Sequence, residues 1–290
     1  MTDYILRITA AGGLVRGFFA TTRKMVGEFA RIHETSPVVT AALGRLLTGG
    51  AIMGYTMKSE KDLLTLTIKG DGLVGGLLVT ADNMGNVKGY ANNPQADLPI
   101  KDNGKLDVGG VVGAGSLTVV KYLGLKEPYS GQVELVNGEI AMDIAYYYAT
   151  SEQVPSVVSL GVLVDKDYSV KQAGGFIIQL MPGAGDDIID ELEKTTNIPN
   201  ITALLDEGKT PEDLAQLTLG TLGFEVLEKL PCRFFCGCSK EKVARALATL
   251  PEKDLQNLAG SGKMEVMCHF CNTAHTFTDD EMSGLNVKTN

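Results

Sequence analysis

The chain has 290 residues, of which 44% are hydrophobic and 21% charged, and its formal net charge is −9. This length and composition fit one large globular domain with a smaller domain appended to it. The acidic balance argues against nucleic acid as a partner, because contacts to phosphate groups require a basic face.

The sequence also argues against export and against a membrane partner. Its first residues lack the basic start and apolar run of a signal peptide, and no stretch reaches the ~18 uninterrupted apolar residues of a membrane span. We therefore expect a cytoplasmic protein. Thiols stay reduced in that compartment, so close cysteine pairs there more often bind metal or respond to oxidants than form permanent bridges.

Residues 1–181 are predicted to form the larger domain, which is of α+β class with antiparallel sheets and packed helices. A strand beginning at Val15 leads into a helix over residues 23–32. Ser36 then provides the N-cap of a largely buried helix over residues 37–57, which begins with a proline.

Beyond this helix the apolar period changes to the alternation typical of strands. We predict strands over residues 64–68, 77–81, 87–90, 116–123, 131–135, 157–164 and 175–180, and a helix over residues 140–153. The glycine pattern at Gly70, Gly72 and Gly75 matches a dinucleotide-binding fingerprint, but a strand rather than a helix follows it, so we interpret it as a turn. No nucleophile–base pair stands out, so we expect no catalytic or cofactor-binding residues and no enzyme.

Residues 182–230 are predicted to form an acidic helical linker. Its part from residue 186 onward has eleven acidic residues and three lysines, a net charge of −8. Apolar residues at helical spacing indicate three short amphipathic helices, and Thr210 and Pro211 mark the start of the third. These apolar positions are Ile188, Ile189, Leu192, Ile201, Leu204, Leu205, Leu214, Leu217 and Leu219. Helices this short are marginal alone in water, so they must dock on a neighbour, and the segment should unfold easily.

All five cysteines lie near the C-terminus, at Cys232, Cys236, Cys238, Cys268 and Cys271. Two close thiol pairs separated by a loop are the usual arrangement of a four-thiolate zinc site. We therefore predict that Cys236, Cys238, Cys268 and Cys271 bind one Zn²⁺ ion per chain, with Cys232 as a spare thiol. The same spacing also suits two local disulfides, so an inert staple and a switch are both possible at this point.

Residues 231–290 are predicted to form a small zinc-binding domain. Ser239 can cap a helix over residues 240–250, a second helix follows over residues 251–260, and strands flank the second thiol pair. The segment has too little apolar mass for a robust core, so a metal staple is physically sensible. Its two histidines could also reach the metal, but four thiolates already fill a tetrahedron.

The cysteine pattern and several N-terminal motifs resemble the 33 kDa heat-shock chaperonin family, redox-regulated holdases of the bacterial cytosol. The distinctive feature is C-x-C followed, after a loop, by C-x-x-C near the C-terminus, here Cys236/Cys238 and Cys268/Cys271. The likeness covers essentially the whole chain and extends to Ser36-Pro-Val-Val-Thr-Ala-Ala-Leu-Gly-Arg-Leu-Leu-Thr, Gly70-Asp-Gly-Leu and Gly161-Val-Leu-Val-Asp.

The resemblance implies a mechanism. Members of the family bind zinc through the four cysteines when reduced and are then inactive. Oxidation pairs each cysteine with its near neighbour, here Cys236 with Cys238 and Cys268 with Cys271, and expels the zinc. The small domain and the linker then unfold, the protein forms a homodimer, and exposed apolar surface holds unfolded client proteins without ATP.

Two other functions remain open from the residues alone. One is an enzyme with a purely structural zinc site, which would need paired acids or a nucleophile–base pair in residues 1–181. The other is a constitutive zinc-ribbon adaptor, whose binding to a protein partner would persist in reductant and disappear on chelation.

Overall fold

The chain divides into two compact units, Met1–Phe235 and Cys236–Asn290. The structure is a computed structural model that describes residues 2–194, 200–251 and 263–283. The predicted linker, residues 182–230, packs within the first unit. The division of the chain into three functional segments stays a prediction. The α+β class is confirmed.

A five-stranded antiparallel sheet forms one layer of the first unit, in the order β10–β1–β2–β9–β8. Its strands are β1 (Tyr4–Ala10), β2 (Val15–Thr21), β8 (Ser156–Val164), β9 (Val170–Leu180) and β10 (Phe224–Pro231). The sequence did not predict β10, because a register shift opposite Arg7 and Ile8 interrupts the strand and five consecutive residues of it are exposed. Without an alternating pattern, periodicity cannot identify a strand.

A six-stranded sheet forms the second layer, in the order β11–β5–β4–β3–β6–β7. Its strands are β3 (Leu63–Gly70), β4 (Leu77–Asp82), β5 (Asn86–Ala91), β6 (Gly115–Tyr122), β7 (Tyr129–Glu134) and β11 (Arg233–Phe234). All neighbours pair antiparallel except β11, which runs parallel to β5. The glycine-rich segment between β3 and β4 is a turn, as predicted.

Helix α2 (Pro37–Tyr55) is the central element of the core and follows α1 (Arg23–His33). The predicted cap is present, since the Ser36 side chain accepts a hydrogen bond from the Val39 N–H at 3.3 Å. This helix is long and apolar enough to cross a membrane by length and composition alone, but 94% of the relevant window is buried inside the protein. It is therefore a core helix.

Two shorter helices complete this part of the first unit, α3 (Val108–Val112) and α4 (Ala141–Tyr147). The sequence predicted one helix over residues 140–153. Instead a single π turn over Tyr148–Glu152 continues α4 and ends at Gln153, which has a left-handed φ of 56°. A non-glycine residue in that region cannot continue a right-handed helix.

Three linker helices cover the face of the five-stranded sheet that points away from α2: α5 (Asp186–Lys194), α6 (Ile201–Asp206) and α7 (Pro211–Leu219). Their buried apolar residues are Ile188, Leu192, Ile201, Leu204, Leu205, Leu214, Ala215 and Leu219. The sheet contributes Leu6, Ile8, Ala10, Val15, Phe19, Phe176 and Ile178. Leu217 corrects the sequence interpretation, because its side chain is 54% exposed instead of lying on the docked face.

Polar contacts fix the start of α7. Thr210 and Asp213 form the capping box, with the Asp213 N–H donating to Thr210 Oγ1 at 3.2 Å. The Tyr4 hydroxyl donates to one carboxylate oxygen of Glu212 at 2.5 Å, and Lys229 Nζ donates to the other at 2.9 Å. Because Tyr4 lies on β1 and Lys229 on β10, these two contacts of Glu212 tie helix α7 to both strands.

The second unit contains α8 (Lys240–Leu247), the antiparallel hairpin β12 (Lys263–Met267) and β13 (Ala274–Thr278), and α9 (Asp279–Ser283). Ser239 caps α8 as predicted, by accepting from the Lys242 N–H at 3.3 Å. The helix predicted over residues 251–260 lies almost entirely outside the described residues. In the described part of this unit, three apolar side chains are buried, namely Leu247, Phe277 and Met282.

Gly54→Ala should destabilise the first unit, because the added Cβ would lie 2.5 Å from the Asp82 carbonyl oxygen, a backbone atom. We expect a loss of about 1–3 kcal/mol in the free energy of unfolding. Gly27→Ala in α1 is the matched control: its nearest neighbour would be 3.9 Å away, so helix propensity should give a gain of about 0.5–1 kcal/mol. Urea unfolding followed by circular dichroism measures both, and equal midpoints would contradict the close approach.

Candidate metal centre

The first thiol pair lies in the loop that precedes α8. Cys236 and Cys238 are followed directly by the Ser239 cap, so both sulfurs belong to the N-terminal side of that helix. The partial positive charge of a helix N-terminus favours negative charge nearby. Lys242 folds back over the same loop, with its Nζ donating to the Gly237 carbonyl oxygen at 2.5 Å. The start of α8 and Lys242 thus place positive charge beside the first thiol pair.

The second pair lies in the loop that joins β12 to β13. The Cys268 N–H donates to the Thr273 carbonyl at 3.0 Å, which closes the loop as a continuation of the hairpin. The N–H groups of Cys271 and Asn272 both donate to the Cys268 carbonyl, at 3.3 and 2.8 Å, and Asn272 has a left-handed φ of 52°. The tight turn places the two cysteines three residues apart at the tip of a rigid hairpin.

The four predicted sulfurs converge, with the Sγ atoms of Cys236, Cys238, Cys268 and Cys271 all within 4.8 Å of one another. Two short sulfur–sulfur distances join the loops, 3.8 Å from Cys236 to Cys268 and 3.4 Å from Cys238 to Cys271. Four sulfurs at about 2.3 Å from a tetrahedral zinc have S–S edges of roughly 3.8 Å. The cluster therefore fits a metal of this size, and all five cysteines of the chain are free thiols.

A histidine lies against the cluster. His275 Nε2, on β13, is 3.4 Å from Cys238 Sγ, within hydrogen-bonding distance of a sulfur. From the sequence, His275 was one of two histidines that could reach the metal. Because four sulfurs already converge, His275 lies beside the sulfur cluster, where an imidazole N–H can donate to a thiolate and orient it.

The thiols differ in acidity because their surroundings differ. Burial raises the pKa of Cys236 and of Cys238. Burial also acts to raise the pKa of Cys271, but hydrogen bonds with the hydroxyl and the backbone of Thr273 outweigh it and bring the pKa to about 7. The Cys271–Thr273 side-chain distance is 3.2 Å. Cys271 is therefore the thiol that ionises most readily in the metal-free cluster.

Cys232 belongs to the first unit and not to the cluster. It is 6% exposed, and its thiol donates to the Thr21 carbonyl oxygen at 3.9 Å. Burial, with the Asp3 carboxylate adding to it, raises the pKa of Cys232. The sequence left Cys232 out of the predicted ligand set, and it lies directly before β11 within the first unit.

Sequence reasoning missed one residue, Thr273. It has the visible signal of a hydroxyl two residues after a cysteine, but its contact depends on the turn geometry. Lys240 forms an ion pair with Glu281 at 2.6 Å. Lys242 is the lysine that reaches the ligand loop.

Known proteins share these features over nearly the whole chain. The family described as Hsp33 protein matches residues 3–278. The 33 kDa chaperonin of Agathobacter rectalis is 56% identical over 287 residues, which cover 98% of this chain and 100% of that one. The 33 kDa chaperonin of Lachnoclostridium phytofermentans is 52% identical over 292 residues, with both chains covered in full.

A solved structure is similar as well. The crystal structure of the 33 kDa chaperonin (heat shock protein 33 homolog) from Thermotoga maritima has a TM-score of 0.90 and 37% identity, and 98% of each chain is covered. The fold, the clustered thiols and these relatives define a molecular chaperone and not an enzyme. The chain belongs to the Hsp33 protein family, as the resemblance of its cysteine pattern predicted.

In reduced, metal-free protein, Cys271 should be the first thiol to react with iodoacetamide, with its rate half-maximal near the pKa of about 7. The sign follows from chemistry: the thiolate is the nucleophile, so reaction rises as the pH passes the pKa. Thr273→Val removes one hydrogen bond and should move this midpoint upward by roughly half to one pH unit. Peptide mass spectrometry after timed alkylation measures it. Thr276→Val, in the strand β13 that follows, should leave the midpoint unchanged.

Proposed function

We propose that this protein is an oxidation-activated holdase of the bacterial cytoplasm that binds unfolding client proteins without ATP. The observation that carries the proposal is the convergence of four free thiols within 4.8 Å in a unit whose described part buries three apolar side chains. Such a small core makes the folding of the unit depend on the state of its sulfurs. Membership of a chaperone family supplies the class of partner.

Cys236, Cys238, Cys268 and Cys271 would hold one Zn²⁺ ion in the reduced state. A thiolate set suits zinc among the common cellular divalent ions, because magnesium and calcium prefer oxygen ligands and the cluster offers four sulfurs. When bound, the metal supplies folding free energy, on the order of 10–16 kcal/mol in small zinc-finger peptides. The reduced form is therefore folded and inactive.

Oxidation converts the four thiols into two disulfides, Cys236 with Cys238 and Cys268 with Cys271. Each disulfide forms when two thiolates give up two electrons to one hydrogen peroxide molecule, which takes two protons from solvent and leaves as two water molecules. Once the sulfurs are bridged they no longer hold zinc, and the unit loses its main source of stability.

The linker, residues 182–230, transmits this loss. Its helices are too short to persist undocked, and the net charge of −8 over residues 186–230 opposes compaction. When they leave, the apolar sheet face formed by residues such as Leu6, Phe19 and Phe176 becomes available to clients. The protein then acts as a homodimer. In this scheme residues 1–181 are the binding domain and residues 231–290 the redox switch.

Zinc-loaded protein treated with hydrogen peroxide under mild heat should release about one Zn²⁺ per chain, lose its cluster thiols and suppress aggregation of a heat-unfolded reporter enzyme. A chromogenic zinc chelator, thiol titration and light scattering follow the three changes together, and sedimentation velocity detects the dimer. Cys232→Ala is the control, because that buried thiol lies outside the cluster and its loss should leave all three responses intact.

Two results would overturn this mechanism. One is zinc release without any gain in holdase activity. The other is client binding that persists in reductant and disappears on chelation, which is the behaviour of a constitutive zinc-ribbon adaptor.

Leu214→Ala should weaken linker docking and lower the oxidation needed for activation. Leu214 is fully buried against the sheet, so its truncation should lower the free energy of helix docking by about 2–5 kcal/mol. Leu217→Ala, on the same helix but 54% exposed, is the matched control and should change stability by less than about 0.5 kcal/mol. Limited proteolysis with peptide mapping and an aggregation assay, both in reductant, measure the effect. Faster cleavage of Leu214→Ala without any chaperone activity would show that docking is not the brake.

A further inference from the structure

The strand β7 is an outer edge of the six-stranded sheet, and its backbone orientation follows from two hydrogen bonds. The Leu135 N–H donates to the Gly115 carbonyl at 2.8 Å, and the Asp71 N–H donates to the Ala114 carbonyl at 2.9 Å. In an antiparallel ladder, hydrogen-bonded pairs alternate along the strand. Odd-numbered residues of β7 therefore face β6, and the N–H and C=O groups of Ser130, Gln132 and Glu134 point outward.

These outward groups are open to solvent. Ser130, Gln132 and Glu134 are all exposed, and within the described residues no backbone hydrogen bond takes up their outward N–H or C=O groups. The six pairs between β6 and β7 are regular, without a bulge. An edge of this kind is a template for one more strand.

The other sheet edges carry the protective features that β7 lacks. Strand β10 has a register shift, three charged residues in its middle and Pro231 at its end. Strand β11 is only two residues long, and β8 has a register irregularity between Leu163 and Val164. Natural edges are commonly protected by bulges, charge, proline or shortness. Strand β7 has one charge, at Glu134, and none of the other devices.

Exposed apolar side chains lie at both ends of this edge. Tyr129 is 41% exposed at its start, and Val136 is 52% exposed just after its end. Leu125, in the hairpin that leads into β7, is 71% exposed. An extended chain laid along β7 would thus gain apolar contacts at its ends and backbone hydrogen bonds along its middle.

We propose that β7 is a strand-addition site for an extended segment of an unfolding polypeptide. Backbone groups recognise any sequence that can become extended, which suits a chaperone with varied clients. Because β7 carries only one charged side chain, it would repel few client sequences on the basis of their charge. Three outward residues spaced two apart match a client segment of about five to seven residues.

This site goes beyond the redox switch, because β7 is exposed while the linker is still docked. It offers a weak, thiol-independent foothold for a client. A client held there would reach the linker-covered sheet face as an intramolecular event once that face is uncovered, which raises its effective affinity without new contacts.

The test uses reduced, zinc-loaded full-length protein and a fluorescein-labelled peptide of alternating valine and threonine, followed by fluorescence anisotropy. Gln132→Pro removes an outward N–H but no bond to β6, so the sheet should survive, as circular dichroism can verify. We expect Gln132→Pro to weaken peptide binding about tenfold. Gln132→Ala keeps the N–H and should bind like the unaltered protein.

A second probe leaves the protein unchanged. The same peptide with alternate backbone nitrogens methylated keeps its side chains but cannot extend a sheet, and its binding should be at least about tenfold weaker. Equal binding of the methylated peptide, equal binding by Gln132→Pro, or no binding at all would overturn the proposal. So would self-association of the protein without peptide that Gln132→Pro abolishes, because β7 would then serve a second copy of the chain.

Discussion

Eight apolar side chains of the linker helices are buried only because the outer face of the five-stranded sheet is itself apolar. The sheet is thus apolar on both faces, one against α2 and one against the linker. Burial at about 25 cal/mol per Å² favours docking, while the mutual repulsion of the linker's acids opposes it. A core helix with glycines at its contacts is a permanent cover, whereas three short charged helices are a conditional one. In the proposed mechanism, this difference between the two covers would let one sheet be stable and still become exposed.

The second unit meets a different constraint. Its described part buries Leu247, Phe277 and Met282, and the sulfur cluster joins the loop before α8 to the hairpin. A domain of this size normally needs a metal or a cross-link to fold. Reduced sulfurs brought together from two loops suit a metal, which links the loops across the unit. Disulfides between neighbours within each loop would leave the two loops unlinked.

Much of this could be predicted from the sequence, and the failures have physical causes. The cap at Ser36 and the four-thiol site rest on local signals that tertiary structure does not change. Leu217 was misassigned because three leucines in six residues fit more than one helical face, and only docking on the sheet decides between them. Strand β10 was missed because its exposed residues do not alternate. Cys232 was kept outside the predicted ligand set because the other four cysteines form two close pairs, and it lies in the first unit.

The linker helices lie between two strands of the same sheet, since β9 ends at Leu180 and β10 begins at Phe224. While β10 stays paired with β1, the detached helices form a loop anchored at both ends. The entropy cost of such a loop grows only logarithmically with its length, and its effective concentration at the sheet stays near the millimolar range. Redocking would then be an intramolecular reaction whose rate does not depend on protein concentration. A bound client and the tethered helices would compete for the same sheet face. Redocking of the helices would therefore release the client and restore the resting state in one step.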